Sequence, residues 1–368
     1  MDDPQRVLVV GGGIGGLAVA RALQRRGLQP EVVERTADWS QPGAGVYLPA
    51  NSVRALSALG LQAALLDRAC EITRTRFLEH RGRLLAEVDL PAFWGATGPC
   101  LAISRRDLHQ LLREGIPVRL GTTVTALEVH LPMVHAVFDD GATGDYDLVV
   151  GADGVRSWVR TVVFAGTTPR FLGMVGWRFL VDGFPEVTGW TARLTPGKAF
   201  FTLPLGGGRI YCFAGIDAPA TTDPSSGDPA KLAELFGEFA EPVPTIVGAY
   251  LATGQQPYFS AFEEVVQRPW VQGRVVLVGD AAHAMSPNMA EGAGMAAEDA
   301  LVLAETVAAG RPLQQFEARR RPRVEFVQTQ THRRDRMRNL PPVIRIATLR
   351  LVGRRIYRSN YTSLLSEP

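Results

Sequence analysis

The stretch "RVLVVGGGIGGLAVARALQRRGLQPEVVER", residues 6–35, has the pattern of a strand, a glycine turn, a helix and a second strand. Gly11, Gly13 and Gly16 fill the spacing G-x-G-x-x-G, which allows a tight turn, close approach of a pyrophosphate and close packing of helix on strand. The helix N-terminus then faces the phosphates. Glu34 ends the second strand, where a carboxylate can accept hydrogen bonds from an adenosine ribose. These residues predict a dinucleotide-binding fold.

Two later strands also end in a glycine-aspartate turn. The segment "YDLVVGADGVRSWVR", residues 146–160, carries Asp153-Gly154 after an apolar run. The segment "RVVLVGDAAHAMSPNMAEGAG", residues 274–294, ends its apolar run at Gly279-Asp280 and continues with small residues into a helical pattern. Small residues and glycines at such a turn indicate that something large approaches the backbone closely.

Taken together, the three glycine motifs resemble the three fingerprints of the class A flavoprotein monooxygenases, the family of para-hydroxybenzoate hydroxylase. Further matches support the resemblance. They are "GAGVYLPANSVRALSALGL" (43–61), similar to the family's flavin-lining loop and helix, "ISRRDLHQLL" (103–112), similar to its R-x-x-L helix, "GMVGWRFLV" (173–181) and "FEARRRPRV" (316–324). The resemblance extends from about residue 6 to residue 324.

The resemblance implies an α/β fold with a Rossmann-like FAD-binding domain of the GR2 or para-hydroxybenzoate hydroxylase type, an antiparallel β-sheet substrate domain and C-terminal helices. We expect a discontinuous FAD-binding domain in residues 1–70, 98–165 and 268–320, a middle sheet in 71–97 and 166–267, and a helical region in 321–368. The aromatic-rich stretch 171–213 predicts antiparallel strands with a hairpin turn at 206–209, and 73–89 predicts a hairpin around Gly82. Residues 228–240 predict a helix on the outer face of this sheet, capped by Asp228.

The resemblance implies FAD as cofactor, with Glu34 on the ribose, Arg105 near the pyrophosphate and Asp280 on the ribityl chain. Ser104 and Asp107 form a capping-box-like pattern that places Arg105 in a first helical turn, where a cation is unfavourable unless an anion is near. The alternative is a solvated arginine. The expected FAD-binding residues are Gly11, Gly13, Ile14, Gly15, Gly16, Glu34, Arg35, Gly45, Val46, Arg105, Val124, Asp153, Gly154, Asp280, Pro287, Gly292, Ala293, Gly294 and Met295.

Two acidic residues near the expected cofactor have a second interpretation. Asp153 is implied to lie near the pyrophosphate and take part in handling NAD(P)H, but it could instead cap a helix that begins near Val155. Glu291 stands where relatives commonly carry glutamine, and a carboxylate beside flavin N1 would oppose the charge of reduced flavin. We therefore predict that Glu291 points away while backbone N–H groups of residues 292–294 face N1 and the C2 carbonyl.

The implied activity is single-component monooxygenation of an aromatic or polycyclic small molecule. In this family NADH or NADPH reduces the FAD, and O2 then forms a flavin C4a-hydroperoxide that transfers one oxygen atom. The resemblance does not imply a universal catalytic base, and the candidates for one are His283, as acceptor of a phenolic proton, and Tyr211. Pro287 is expected beside the flavin ring, and Arg178 as a partner for a substrate anion. His283 could equally be a packed histidine, and Arg178 could pair with an acid of the core.

Three other functions share this fold. A flavin-dependent halogenase would carry a Trp-x-Trp motif and a catalytic lysine, and no W-x-W occurs here. An FAD-dependent dehydrogenase or saturase would not consume O2 with one NAD(P)H per product. A non-catalytic FAD-fold binding protein would fail to oxidise NAD(P)H with any ligand.

Composition limits the classes of partner and site that this chain is expected to have. The chain has 39 Lys and Arg against 37 Asp and Glu, so its overall charge does not indicate nucleic acid. Three separated cysteines and six scattered histidines show no disulfide framework or metal-ligand spacing, and a glycine-rich N-terminus does not fit a signal peptide or membrane span. We expect a cytoplasmic monomer or homodimer without metal or stable membrane insertion.

Residues 319–358 hold thirteen arginines against Glu325 and Asp335, which favours a solvated helical region over docking on a membrane surface.

Overall fold

The computed structural model describes residues 6–39, 44–130, 132–219, 227–338 and 340–368. The strands are β1 (Val7–Val10), β2 (Glu31–Glu34), β3 (Gly45–Leu48), β4 (Cys70–Glu71), β5 (Arg74–Glu79), β6 (Leu84–Asp89), β7 (Leu101–Ser104), β8 (Val118–Leu120), β9 (Val124–His130), β10 (Met133–Phe138), β11 (Thr143–Tyr146), β12 (Leu148–Gly151), β13 (Arg170–Val181), β14 (Trp190–Thr195), β15 (Lys198–Gly206), β16 (Arg209–Asp217), β17 (Tyr258–Glu264), β18 (Val271–Gln272) and β19 (Val275–Leu277).

The helices alternate with these strands in the first third of the chain and dominate its last third. They are α1 (Ile14–Gln24), α2 (Ala50–Leu56), α3 (Gln62–Arg68), α4 (Leu90–Trp94), α5 (Arg105–Arg113), α6 (Trp158–Val163), α7 (Lys231–Phe236), α8 (Val243–Leu251), α9 (Asp280–His283), α10 (Gly292–Ala308), α11 (Gln314–Arg338) and α12 (Pro342–Tyr361). A π-helical segment joins α2 to α3, and short 3-10 turns lie at Gly95–Thr97, Pro287–Met289 and Thr362–Leu364.

A six-stranded sheet in the order β18-β19-β12-β1-β2-β8 forms the core of the domain that is expected to bind FAD. All neighbouring strands are parallel except β18 and β19. The continuous apolar run of β1 is buried at every position, as expected for a parallel strand covered on both faces. Because β1, β12 and β19 run in the same direction, their carboxyl ends share one edge. The three glycine motifs therefore meet at that edge.

A seven-stranded sheet in the order β17-β13-β16-β15-β14-β5-β6 forms the middle domain. Its neighbours are antiparallel except β14 and β5, and the expected hairpins between β15 and β16 and between β5 and β6 are both present. One face packs Trp177, Phe179 and Phe200 against α7 and α8. Helix α7 is shorter than the expected 228–240, although Asp228 Oδ1 accepts a hydrogen bond from Ala230 N at 2.9 Å. Alternation along the strands turns Phe201 and Tyr211 to the opposite face.

The C-terminal helices belong to the same core. Helix α11 runs without a break across the expected boundary between residues 320 and 321, and it packs on α10. Arg320 of α11 is fully buried between two acids of α10, with Nη1 at 2.7 Å from Glu298 Oε2 and Nε at 2.8 Å from Asp299 Oδ1.

Two small antiparallel sheets, β3-β7-β4 and β11-β10-β9, complete the fold. Among the described helices, none combines the length and apolar character needed to cross a bilayer.

Candidate active site

A cavity of about 470 Å³ lies between the carboxyl edge of the six-stranded sheet and the inner face of the seven-stranded sheet. One side, here named the glycine wall, is built by Gly13, Gly15, Gly45, Gly154, Gly279 and Gly292. The other side, here named the aromatic wall, is built by Phe77, Trp190, Phe201, Tyr211, Tyr357 and Tyr361. The two walls differ in what they present to the cavity, which is main chain on one side and rings on the other.

The glycines of the first motif have three different surroundings. Gly11 has φ +109°, and a Cβ there would lie 2.5 Å from the Ala152 carbonyl oxygen. A Cβ on Gly16 would lie 1.9 Å from the Gly11 carbonyl oxygen, so α1 can approach β1 only without a side chain. A Cβ on Gly13 would meet no atom within 4 Å, and Gly13 lines the cavity. The first and third glycines therefore serve the turn and the packing, and the second leaves its side toward the cavity open.

Glu34 lies beside this turn and not in the cavity wall. Its Oε2 accepts a hydrogen bond from Gly12 N at 2.7 Å, and its Oε1 accepts one from Thr36 N at 3.0 Å. Arg35 is exposed, and Val124 is buried at the start of β9. None of these three expected FAD-binding residues lines the cavity.

Arg105 lies where the capping pattern predicts. Ser104 Oγ accepts a hydrogen bond from Asp107 N at 3.0 Å, so α5 begins at Arg105 and directs the first turn toward the cavity. Asp280 projects into the same cavity. The surrounding protein raises the pKa of the Asp280 carboxyl, and His283 and Arg105 act in the opposite direction. Arg105 therefore supplies positive charge to a cavity that already holds an acid.

Asp153 caps a helix, but a later one than the sequence suggested. Its Oδ2 accepts a hydrogen bond from Val159 N at 3.0 Å, because α6 begins at Trp158 and not near Val155. Its Oδ1 is buried and has no hydrogen-bond partner among the described residues. Burial raises the pKa of this carboxyl. The adjacent Gly154 lines the cavity.

The N-terminus of α10 presents Gly292 and Ala293 to the cavity, as expected, but not the next two residues. A Cβ on Gly294 would lie 2.0 Å from Ser52 Oγ, so this glycine permits close packing of α10 on α2. Met295 is fully buried in the core. Neither residue faces the cavity, because the helix turns them inward.

Glu291 also turns away from the cavity. Its Oε2 accepts a hydrogen bond from Asn51 Nδ2 at 2.9 Å, while its Oε1 is buried without a partner in the described chain. Burial raises the pKa of this carboxyl to about 8. The carboxyl group is thus held against α2, and the amides that follow it are left facing the cavity.

His283 is not placed to receive a proton from a substrate. The ring is 2% exposed and lies outside the cavity wall, with Nε2 at 2.6 Å from Asp299 Oδ2 and Trp270 packed at a centroid distance of 5.0 Å. Burial acts to raise the pKa of Asp299, but His283 and Arg320 hold it below its usual value. The expectation that His283 faces the substrate is corrected by this geometry: the ring packs in the core because α9 directs it toward α10.

Arg178, Tyr211 and Pro287 do line the cavity. Arg178 Nη1 donates to Ser260 Oγ at 2.6 Å, and its guanidinium lies over three rings, those of Phe213, Phe262 and Tyr258, at 5.3, 5.3 and 5.6 Å. No carboxylate of the described chain forms an ion pair with it. The structure therefore does not show the alternative in which Arg178 pairs with an acid of the core.

Sequence reasoning missed a third cavity-lining arginine and the tyrosines beside it. Arg334 of α11 lines the cavity together with Tyr357 and Tyr361 of α12. Arg334 Nη1 donates to Tyr361 Oη at 3.2 Å, and Tyr361 Oη donates to the Met289 carbonyl oxygen at 3.0 Å. These residues lie beyond the last motif, so the only signal was the arginine excess itself.

The residues of the glycine wall fit an elongated cofactor that carries a pyrophosphate. Gly13 and Gly154 have open space where a Cβ would stand. Asp153 lies between the cavity-lining residues Ala152 and Gly154, and its buried Oδ1 has no hydrogen-bond partner in the part of the chain that the structure describes. Arg105 adds a cation at a helix start, and α10 adds unpaired N–H groups at its own first turn. This donor set and this open main chain are what an FAD molecule requires.

Known proteins are similar to this chain over most of its length. A family model described as an FAD binding domain matches residues 5–331. The 3-amino-4-hydroxybenzoate 2-monooxygenase PtnB3 of Streptomyces platensis is 35% identical over 361 residues, which are 90% of this chain and 87% of that protein. The chain belongs to the class A flavoprotein monooxygenases. As a member of that family it is an FAD-dependent oxidoreductase.

Two other class A flavoprotein monooxygenase relatives extend the comparison. The 2-heptyl-3-hydroxy-4(1H)-quinolone synthase of Pseudomonas aeruginosa strain UCBPP-PA14 is 30% identical, over 88% of this chain and 87% of that protein. The structure of Klebsiella pneumoniae HpxO with FAD and uric acid superimposes with a TM-score of 0.89 at 27% identity, covering 99% of this chain and 97% of that one. The expected fold, with its FAD-binding domain, antiparallel sheet and C-terminal helices, is confirmed.

Proposed function

We propose that this chain is a single-component monooxygenase that uses NADH or NADPH and O2 to hydroxylate an aromatic or polycyclic small molecule. The observation that carries the proposal is the continuity of one cavity from the glycine wall to the aromatic wall. A cofactor held on the first wall and a flat substrate held on the second would share that space. FAD, when bound, supplies the redox chemistry that activates O2.

The chain's own residues would bind and orient the cofactor from the glycine wall. Arg105 would pair with the pyrophosphate, and Asp280 would accept hydrogen bonds from the ribityl hydroxyls. The N–H groups of Gly292 and Ala293 would stabilise negative charge on the flavin ring, because the N-terminus of a helix carries a partial positive charge. Glu291 supports this role since its carboxyl group is turned to Asn51.

The aromatic wall would hold the substrate and exclude water. Trp190 and Phe201 lie with ring centroids 5.2 Å apart, and Phe77 packs edge-on to Trp190 at 5.5 Å. Rings arranged in this way bind flat apolar ligands by offset or edge contacts. A dry cavity also protects a reactive oxygen donor from hydrolysis, which would otherwise release peroxide without product.

Arg334 is the residue that we expect to select among aromatic substrates. A guanidinium has five N–H donors, and in the described chain only the Tyr361 hydroxyl accepts from this one. No described carboxylate forms an ion pair with it, and the nearby Asp335 is engaged by Asn288 and Arg338. A half-buried cation among rings needs an acceptor. A carboxylate or carbonyl oxygen on the substrate would supply it.

Tyr211 and Arg178 would act on the other side of the cavity. Burial raises the pKa of Tyr211, with Arg178 acting to lower it, so the phenol stays protonated and can donate a hydrogen bond. Arg178 is held by Ser260 and three rings, which leaves it less adjustable than Arg334. Pro287 begins the 3-10 turn whose Met289 carbonyl oxygen accepts a hydrogen bond from the Tyr361 hydroxyl, and it would flank the flavin ring.

A substrate panel with three simultaneous readouts tests the proposal. We expect purified protein to contain FAD and to oxidise NADH or NADPH faster when an accepted aromatic is present. The panel includes 3-amino-4-hydroxybenzoate, its carboxamide, and a neutral 2-alkyl-4-quinolone, since the relatives act on acids and make a quinolone. NAD(P)H consumption, peroxide release and hydroxylated product are measured together.

The results separate the alternatives. Product formed with one NAD(P)H and one O2 consumed supports the proposal. Product without O2 consumption would indicate a dehydrogenase or saturase, and FAD-loaded protein that never oxidises NAD(P)H would indicate a binding protein. A cytoplasmic monomer or homodimer remains our prediction for the form in which the enzyme works.

A further inference from the structure

Helix α12 has two faces of different character. The inner face carries Arg345, Leu349, Gly353, Tyr357 and Tyr361, all buried. It packs on β6, and a Cβ on Gly353 would lie 2.8 Å from the Ala86 Cβ, so the contact is close. The i, i+4 spacing of these residues makes one continuous stripe. The inner face thus explains why the helix folds onto the molecule.

The outer face of α12 is not explained by packing. It consists of Val343, Ile344, Ala347, Arg350, Leu351, Arg354, Arg355 and Arg358, all of which are exposed. Val343, Ile344 and Leu351 are 79%, 53% and 82% exposed. At 3.6 residues per turn, the four apolar residues of this face fall within an arc of roughly 100°. Single exposed aliphatic residues are common on soluble proteins, but a group on one helix face marks an interaction surface.

The charge of this region has one sign. From Arg336 to Ser366 the sequence contains seven arginines and no aspartate or glutamate. Within the described chain, no ion pair reaches Arg350, Arg355 or Arg358, and Arg354 donates only to the Glu87 carbonyl oxygen at 2.9 Å. The partner that fits this face is therefore both apolar and anionic.

We propose that the outer face of α12 docks on the surface of a bilayer that contains anionic lipids. Val343, Ile344 and Leu351 enter the boundary between headgroups and acyl chains, and Arg350, Arg355 and Arg358 bind lipid phosphates. The helix lies along the surface and does not cross the membrane. This arrangement uses the aliphatic and the basic residues of the same face together.

Two other occupants fit less well. A second copy of the chain in a two-fold contact would place the arginines of one α12 near those of the other, with no acid of residues 336–366 to separate them. A nucleic acid would pair with the arginines but would leave the exposed aliphatic side chains in water. Charge and apolarity together favour the lipid surface.

Docking would bring the cavity close to the membrane. Tyr357 and Tyr361 line the cavity from the inner face of the same helix whose outer face carries Leu351. If the proposed function holds, a lipophilic aromatic could then pass from the bilayer to the cavity along α12. Docking itself does not depend on catalysis, so the two ideas can fail separately.

Vesicle co-sedimentation of the full FAD-loaded chain tests the docking. We expect binding to vesicles of phosphatidylcholine mixed with phosphatidylglycerol, much weaker binding to pure phosphatidylcholine, and loss of binding at high salt. Leu351→Ser should lower the partition coefficient about tenfold. The double change Arg355→Gln and Arg358→Gln should lower it about 25-fold, at roughly fivefold for each arginine.

The control removes the same residue types elsewhere on the surface. Leu66 and Arg68 of α3 are also exposed, and Leu66→Ser with Arg68→Gln should leave vesicle binding unchanged. Flavin content and melting temperature confirm that each variant is folded. Equal binding to both vesicle types, equal loss in the α3 control, or a self-association that Leu351→Ser abolishes would overturn the proposal.

Discussion

The two walls of the cavity are built by different parts of the chain in different ways. The glycine wall consists of main chain from strand-to-helix turns of the six-stranded sheet and from β3. Its shape depends on glycine, because a side chain at several of these positions would fill the space or collide with a neighbour. The aromatic wall consists of large side chains from the seven-stranded sheet and from α12. Main-chain groups are the same for every residue, so the glycine wall suits a cofactor that a whole family shares. Side chains differ, so under the proposed function the aromatic wall would distinguish substrates.

The comparison predicts two kinds of mutational effect. A side chain added to a packing glycine should act on the fold and on the cofactor at once. A side chain removed from the aromatic side should act on some ligands and leave others unchanged.

The largest effect is expected for Gly16→Ala. The new Cβ would lie 1.9 Å from the Gly11 carbonyl oxygen, so α1 must move away from the turn that holds the cofactor. We expect a stability loss of about 1–3 kcal/mol and loss of most bound FAD. The ratio of flavin to protein and the melting temperature measure both effects.

Gly248→Ala is the matched control for this change. Gly248 lies inside α8, and a Cβ there would meet no atom within 4 Å. Alanine is favoured over glycine in a helix by about 1 kcal/mol, so this variant should keep its FAD and be slightly more stable. Similar FAD loss in both variants would show that the close contact at Gly16 is not the cause.

An intermediate, pH-dependent effect is expected for Glu291→Gln. The folded pKa of Glu291 is raised from its ordinary 4.5 to about 8, so the folded state binds more protons than the unfolded state between these values. Wild-type stability should therefore fall, relative to the variant, as pH rises from 4.5 to 8, and level off above 8. Glutamine can still accept the Asn51 hydrogen bond and carries no charge.

Melting temperatures across this pH range measure the difference. Glu305→Gln, on the same helix, is the control, because the pKa of Glu305 is lowered by Arg319 and its contribution is constant above its ordinary pKa. A difference between Glu291→Gln and wild type that does not change with pH would contradict a buried, mostly neutral carboxyl at position 291.

The most limited effect is expected for Arg334→Gln, because it should act on the binding of acidic ligands and leave the fold and the FAD content unchanged. A hydrogen bond between ionised groups contributes about 1.5–3 kcal/mol, so an acidic aromatic should bind about tenfold or more weakly. The carboxamide of the same compound should change little. Titration of the flavin spectrum with acid and amide, beside the KM for NAD(P)H oxidation, measures the discrimination.

Arg333→Gln removes the same charge from the next residue of α11, whose side chain is exposed and donates to Gln330. It should leave the preference for the acid intact. Loss of the preference in Arg178→Gln instead of Arg334→Gln would move the anion site to the other side of the cavity. Equal weakening of acid and amide would contradict an anion site altogether.

The sequence by itself determined the parts of this protein that depend on local spacing. Gly11 and Gly16 predicted the turn because only glycine allows that backbone and that packing distance, and Gly13 leaves its side toward the cavity open. Ser104 with Asp107 predicted the start of α5 because capping involves residues three apart. The hairpin around Gly82 and the one at residues 206–209 followed from turn composition. The class A flavoprotein monooxygenase family, and with it the FAD-binding fold, followed from the order of three such motifs.

The tertiary structure decided what long-range packing sets. His283 was predicted to face the substrate and Arg334 was not singled out, but the ion pair with Asp299 of α10 holds His283 in the core, whereas α11 places Arg334 in the cavity. Tyr357 and Tyr361 meet β3 and the 3-10 turn at Pro287–Met289 across more than seventy residues of sequence, which no local pattern records. Local spacing therefore determined the glycine turns and the helix start that line one side of the cavity, and only the packing of the C-terminal helices decided that Arg334, Tyr357 and Tyr361 line it as well.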